Sequence, residues 1–151
     1  MQYFEDLEIG GRASFGSYHV NREEVIAFAR KYDPQPFHLS DEAAAQTHFG
    51  RLSASGWHTC AMTMAMLVEH FREHEQASLG SPGMDDLRWL RPVYPGDTLR
   101  METEVLEKRR SNSRPEMGIV RSRMSVFNQE GVAVMTMVSN AFVATRAAAR
   151  D

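Results

Sequence analysis

The sequence predicts an α+β domain in which an antiparallel sheet wraps around one central apolar helix. Three observations point there. From Trp57 to Val68 only His58, Thr59 and Thr63 are clearly polar, and a helix apolar on nearly every side must be buried on nearly every side. After Gly80-Ser81-Pro82-Gly83 the pattern changes to period two, with Leu99, Met101, Thr103 and Val105 alternating with Arg100, Glu102 and Glu104, as in a half-buried antiparallel strand. Two long apolar-rich segments, Met117 to Phe127 and Val132 to Thr145, are joined through Asn128-Gln129-Glu130-Gly131, a hairpin signal. One buried helix followed by long strands gives helix-on-sheet layers.

The elements can be justified in order. Arg12 to Val20 reads as a strand with Phe15 and Tyr18 as its larger apolar groups. Asn21 caps the first helix, Glu24 completes a capping box, and Val20 and Val25 form the hydrophobic staple. Val25, Phe28, Ala29 and Tyr32 fall at i, i+3, i+4 and i+7, a spacing that predicts one buried stripe. Asp33-Pro34 ends that helix, because a residue before proline is pushed out of the helical region. Pro34 and Pro36 keep Asp33 to His38 irregular. Ser40 caps a short helix running to about His48, with Asp41 and Glu42 in its first turn, and Phe49-Gly50 closes it. The apolar helix follows and turns charged from Glu69 to Gln76, where it emerges into water. Leu87, Trp89 and Val93 mark a strand, Pro95-Gly96-Asp97 a turn, and Ser111 to Glu116 a loop. The last strand is nearly all apolar and belongs inside the sheet.

A chain of 151 residues fits one domain, 1–151, with a core of its own. The net charge of -3 gives no overall attraction to nucleic acid or to an anionic membrane. A single cysteine, Cys60, excludes an internal disulfide framework, and no stretch reaches the ~18 apolar residues of a membrane span. The expectation is a cytoplasmic protein that engages neither nucleic acid nor membrane.

Two segments stand out chemically. Asp33-Pro34-Gln35-Pro36-Phe37-His38 places a carboxylate and an imidazole on a proline-stiffened loop, able to aim both at one water; the bland alternative is a turn-forming Asp33 and a satisfied buried His38. Leu52-Ser53-Ala54-Ser55-Gly56 opens the apolar helix with small residues, and a helix N-terminus gathers unsatisfied N–H groups suited to a developing oxyanion. The alternative there is that Ser53 or Ser55 simply caps the helix. His70 and His74 stand at i, i+4 beside Arg72, Glu73 and Glu75, which reads as a solvated helix end, so no metal site is expected. Cys60 and the methionines Met62, Met64 and Met66 read as core. Lys108-Arg109-Arg110, Arg88 and Arg91 are candidate contacts for phosphates.

These motifs resemble the MaoC-like, or R-specific enoyl-CoA hydratase, family of hot-dog proteins. The residues that carry the likeness are Tyr32-Asp33-Pro34-Gln35-Pro36-Phe37-His38, then Phe49-Gly50, then Ser55-Gly56-Trp57-His58, with Tyr3 to Leu7 and Leu90 to Leu99 extending it over nearly the whole chain. The resemblance implies a hydro-lyase that interconverts a trans-2-enoyl-CoA and an (R)-3-hydroxyacyl-CoA. In this reading Asp33 and His38 position and deprotonate water, and the Gly56 N–H holds the thioester oxygen. Gln35, Phe37, Ser55 and Trp57 line the substrate. It also implies no cofactor beyond the coenzyme A of an acyl-CoA substrate, and a homodimer or higher homo-oligomer. Gln35 stands where the family has Asn, and Ser55 where it has His before the glycine. Two other functions fit the fold: an acyl-CoA thioesterase, whose carboxylate would be expected on or beside the central helix, and a non-catalytic acyl-CoA-binding subunit.

Overall fold

In the computed structural model, which describes residues 1–146 and so leaves 147–151 of the expected domain outside, one sheet holds all five strands. They are β1 (Arg12–His19), β2 (Gly83–Trp89), β3 (Thr98–Arg110), β4 (Met117–Phe127) and β5 (Ala133–Ala144). Their order is β1-β3-β4-β5-β2, and every neighbouring pair is antiparallel. The apolar β5 lies inside the sheet between β4 and β2, as its composition predicts.

Three helices precede the sheet's main body: α1 (Arg22–Tyr32), α2 (Asp41–Ala45) and α3 (Gly56–Glu73). Asn21 caps α1 by accepting from the Glu24 N–H at 3.1 Å, and Val20 and Val25 are both buried. The reciprocal half of the capping box does not form, because the Glu24 side chain is drawn away to Tyr18 and His58. Helix α2 is shorter than predicted. It stops at Ala45, and the Thr47 hydroxyl then donates to the Ala44 carbonyl and accepts from the Phe49 N–H, a local turn that competes with helix.

The β2 strand also departs from expectation, running 83–89 rather than through Val93. Leu90 and Arg91 both direct their N–H groups to the Val134 carbonyl, and Pro92 has no N–H to continue the ladder. Val93 is nonetheless buried, and its carbonyl accepts from the Ala54 N–H.

Met62, Met66 and Leu67 on the inner face of α3 pack with Leu99, Met101, Val126, Val134 and Met135 of the sheet. Each such buried side chain contributes about 1.5–3 kcal/mol. Strand β1 closes over the helix through a bulge between Phe15 and Tyr18. Gly16 has φ +88° there, and a Cβ on it would lie 2.6 Å from Met66 Sδ. Only glycine permits that approach.

The expectation that α3 is buried on nearly every side is not met within the chain. Its sheet-facing side is buried, but Trp57 is 60% and Met64 45% exposed. A single sheet covers one side of a helix; α1 adds cover near His58, and among the described residues Trp57 and Met64 remain exposed. Among the described residues no helix is long and apolar enough to cross a membrane.

Candidate active site

Three local features bring the site together. Asp33 ends α1 with its N–H on the Ala29 carbonyl. Pro36–His38 forms one 3-10 turn that aims the His38 ring inward, where it is buried. Leu52 to Ser55 is a buried extended segment that delivers the first turn of α3. It is tied down by Leu52 N–H to Asp41 and by Ala54 N–H to Val93.

The Asp33 carboxylate is held at both oxygens. Gln35 Nε2 donates to Oδ1 at 2.7 Å and Ser55 Oγ to Oδ2 at 2.7 Å. The longer amide that replaces Asn thus reaches the carboxylate itself. Burial works against the charge on Asp33, but the donors Gln35 and Ser55 and the charge of His38 outweigh it, so the acid is held below its ordinary range.

His38 Nδ1 lies 2.7 Å from the Ser53 carbonyl. A carbonyl only accepts, so Nδ1 carries the proton and Nε2 is the nitrogen turned to Asp33. Nε2 and Asp33 Oδ2 are 3.5 Å apart, beyond a normal hydrogen bond. Both groups therefore keep capacity for a common third partner. Phe37 packs edge-on to His38 at 4.6 Å and against Phe49 at 5.1 Å.

Ser55 is the N-cap residue of α3, yet its side chain makes no cap bond. Its hydroxyl serves Asp33 instead. The Ser55 carbonyl accepts from His58 and Thr59 N–H, and among the described residues the N–H groups of Gly56 and Trp57 meet no acceptor. The helix thus presents free donors one residue from the atom that grips Asp33. Trp89 packs closely on Gly56, where a Cβ would come within 2.5 Å of the indole, and the Trp89 Nε1–H donates to the Gly56 carbonyl at 3.0 Å.

Asp33, Gln35, His38, Ser55 and Gly56 are brought together by these contacts, with Phe37 behind the imidazole. Trp57 is placed apart: it points outward against Trp89 at 5.1 Å and begins an apolar groove of about 370 Å3 along Cys60, Thr63, Leu67 and Met124. Burial pushes the Cys60 thiol up, which suits an inert side chain. Lys108 and Arg110 are engaged with the Phe4 carbonyl and Glu5, leaving Arg88, Arg91 and Arg109 exposed. The sequence reading missed the Ser53 carbonyl and Trp89, whose roles depend on chain segments meeting in space and leave no local signal.

An antiparallel sheet wrapped on one helix is the hot-dog arrangement, here with an acid–imidazole loop at that helix's N-terminus. The chain belongs to the MaoC-like domain family, whose model ("MaoC like domain") matches residues 7–126. It is similar to the uncharacterized protein YdeM of Bacillus subtilis, 31% identical over 130 residues and covering 86% of this chain and 90% of that one. A 3-hydroxybutyryl-CoA dehydratase of Methylorubrum extorquens is 33% identical over 110 residues, covering 70% of this chain and 64% of that protein. The crystal structure of a MaoC-like dehydratase from Rhodospirillum rubrum superposes with a TM-score of 0.87 at 39% identity, covering 97% of this chain and 99% of that one.

Proposed function

We propose that the chain catalyses reversible hydration of a trans-2-enoyl-CoA to the (R)-3-hydroxyacyl-CoA. The observation that carries this reading is the turning of Ser55 from helix cap to Asp33, which sets an ionised carboxylate beside uncapped amides. Asp33 takes a proton from water while His38 Nε2 shares and orients that water. The water oxygen bonds to C3 as the C2–C3 π pair shifts toward the thioester, whose oxygen takes the enolate charge against the Gly56 N–H; the proton that Asp33 took then passes through His38 Nε2 to C2, which restores the carboxylate. Removing one oxyanion donor of this kind typically costs about 10²–10³ in rate. The relative named for 3-hydroxybutyryl-CoA supports an acyl-CoA substrate, and the reaction needs no cofactor beyond the coenzyme A that the substrate carries.

Thioester hydrolysis is less favoured, because α3 offers no carboxylate before Glu69, which is exposed. Decay of crotonyl-CoA absorbance tests the proposal, with wild type compared with Asp33→Asn and His38→Ala. Equal rates in all three reject the assignment, and release of free CoA detected with a thiol reagent favours hydrolysis. Absence of turnover with every enoyl chain length tried, despite binding, favours the non-catalytic subunit. The exposed apolar line of Trp57, Met64 and Trp89 is proposed to be covered by a second copy. A sedimentation mass near 17.1 kDa would contradict this.

A further inference from the structure

The C-terminal end of α3, the opposite end from Gly56, carries another set of side chains able to do chemistry. His70, Glu73 and His74 each offer one donor atom, and these atoms lie within 4.8 Å of one another. On the sequence alone the two histidines lack a third ligand, and Glu73 supplies it. The order His70-Phe71-Arg72-Glu73-His74 sets two imidazoles and a carboxylate over one helical turn, an H-x-x-E-H spacing also used by some zinc enzymes.

We propose that His70, Glu73 and His74 bind one divalent transition-metal ion of the zinc class. Two imidazoles with one carboxylate suit zinc, copper or nickel rather than magnesium or calcium, which prefer all-oxygen shells. Three protein donors with one open position is a recurring zinc arrangement.

One ring is already held in place, and the other is anchored at one nitrogen while its side chain stays exposed. Phe15 stacks on His70 with centroids 3.7 Å apart and planes 7° from parallel, which fixes the ring's orientation. His74 Nδ1–H donates to the His70 carbonyl at 3.0 Å, leaving the Nε2 lone pair free. Histidines that ligate metals commonly donate their other N–H to a backbone carbonyl in this way.

His70 Nδ1 is buried with no hydrogen-bond partner. The exposed carbonyls of a helix C-terminus add partial negative charge. Tetrahedral zinc with ligands at about 2.0–2.2 Å spaces neighbouring donors about 3.3–3.6 Å apart. Rotation of the exposed Glu73 and His74 side chains closes the difference. His70 and His74 also line a cavity of about 380 Å3 with Gln2, Asp6, Arg12 and Leu67, so the ion would sit at its wall.

Titration of the full-length, tag-free protein with Co2+, read by visible absorption and followed by displacement with Zn2+, tests the site. One saturable tetrahedral-type spectrum is expected, with affinity weakened roughly tenfold or more by His74→Ala and by His70→Ala, and to a smaller extent by Glu73→Gln. His74 is exposed, so its substitution leaves the fold intact, as circular dichroism would verify. Absence of a saturable signal, or binding that His74→Ala leaves unchanged, overturns the proposal. Because the readout is the metal's own spectrum, this result is independent of whether enoyl-CoA is hydrated.

Discussion

His38 and His58 are both buried and both turn Nε2 toward a carboxylate, yet the two pairs are built differently. His38 is anchored through Nδ1 on the Ser53 carbonyl and stands 3.5 Å from Asp33, which has its own donors in Gln35 and Ser55. His58 donates to Glu24 at 3.1 Å, its Nδ1 has no partner, and its ring stacks on Phe28 at 4.6 Å. The first pair is held just apart by separate anchors, so a small molecule can bridge it. The second is in direct contact and ties α1 to α3. The same two residue types thus make the proposed proton-handling site in one place and a brace in the other, according to whether each partner is satisfied by someone else.

The largest effect tests that distinction directly. Asp33→Asn is expected to lower kcat for crotonyl-CoA by about 10²–10⁴, the usual worth of a positioned acid or base. Glu24→Gln should leave kcat within a few-fold. Comparable losses in the two variants would show that the brace takes part in the chemistry. In stability the order reverses. His58→Ala removes the stack on Phe28 and the contact with Glu24, and should cost about 2 kcal/mol in urea unfolding. Glu24→Gln should cost about 1 kcal/mol, since Glu24 is half exposed and its ion pair is screened. An unchanged midpoint in His58→Ala would break the brace.

This contrast explains what was legible in the sequence. Asp33 and His38 lie on one short loop stiffened by prolines, so spacing leaves both a joint role and a bland one open, and the family resemblance is what selects the joint role. Asn21, Val20 and Val25 signal a helix start through residues adjacent in the chain, and the structure has that start. Glu24 was read as the capping-box partner of Asn21 for the same reason, but its real partners lie 34 residues away at His58 and on β1 at Tyr18. Tertiary contacts override a local motif when they offer a better-buried donor. Ser55 shows the same limit. Its sequence position suggests an N-cap, and only the approach of Asp33 turns the hydroxyl elsewhere. The overlong α2 and displaced β2 arise from Thr47 and Pro92, single residues that alter backbone pairing without changing the apolar pattern.

A smaller effect sharpens the account of Asp33. Ser55→Ala removes one of the donors that hold the carboxyl down, so its pKa should rise toward the ordinary value of about 3.9. The acidic limb of the kcat/KM profile should then move to higher pH, with kcat at neutral pH less affected than in Asp33→Asn. The linked stability follows the same sign. A depressed folded pKa contributes stability that is present above the unfolded value and lost as pH falls through the folded one. Ser55→Ala should therefore flatten the acid side of the unfolding curve as well. A limb that stays in place would mean that Ser55 does not govern the ionisation of Asp33.

The smallest effect belongs to the brace and appears only at high pH. The Tyr18 phenol is pushed up to about 12, first by its hydrogen bond to Glu24, then by burial and by the Glu24 charge. A folded pKa above the unfolded value of about 10 means that its contribution is complete below pH ~10 and is lost as pH rises toward 12. Of the four tyrosines, one should therefore ionise late in an absorbance titration. Tyr18→Phe should remove that phase, and Glu24→Gln should shift it back toward 10. Because both changes act on the Glu24 side of α1, neither should move the acidic limb set by Asp33. If Glu24→Gln moves that limb, the brace and the site are coupled through α1, and the separation drawn from the two histidines fails.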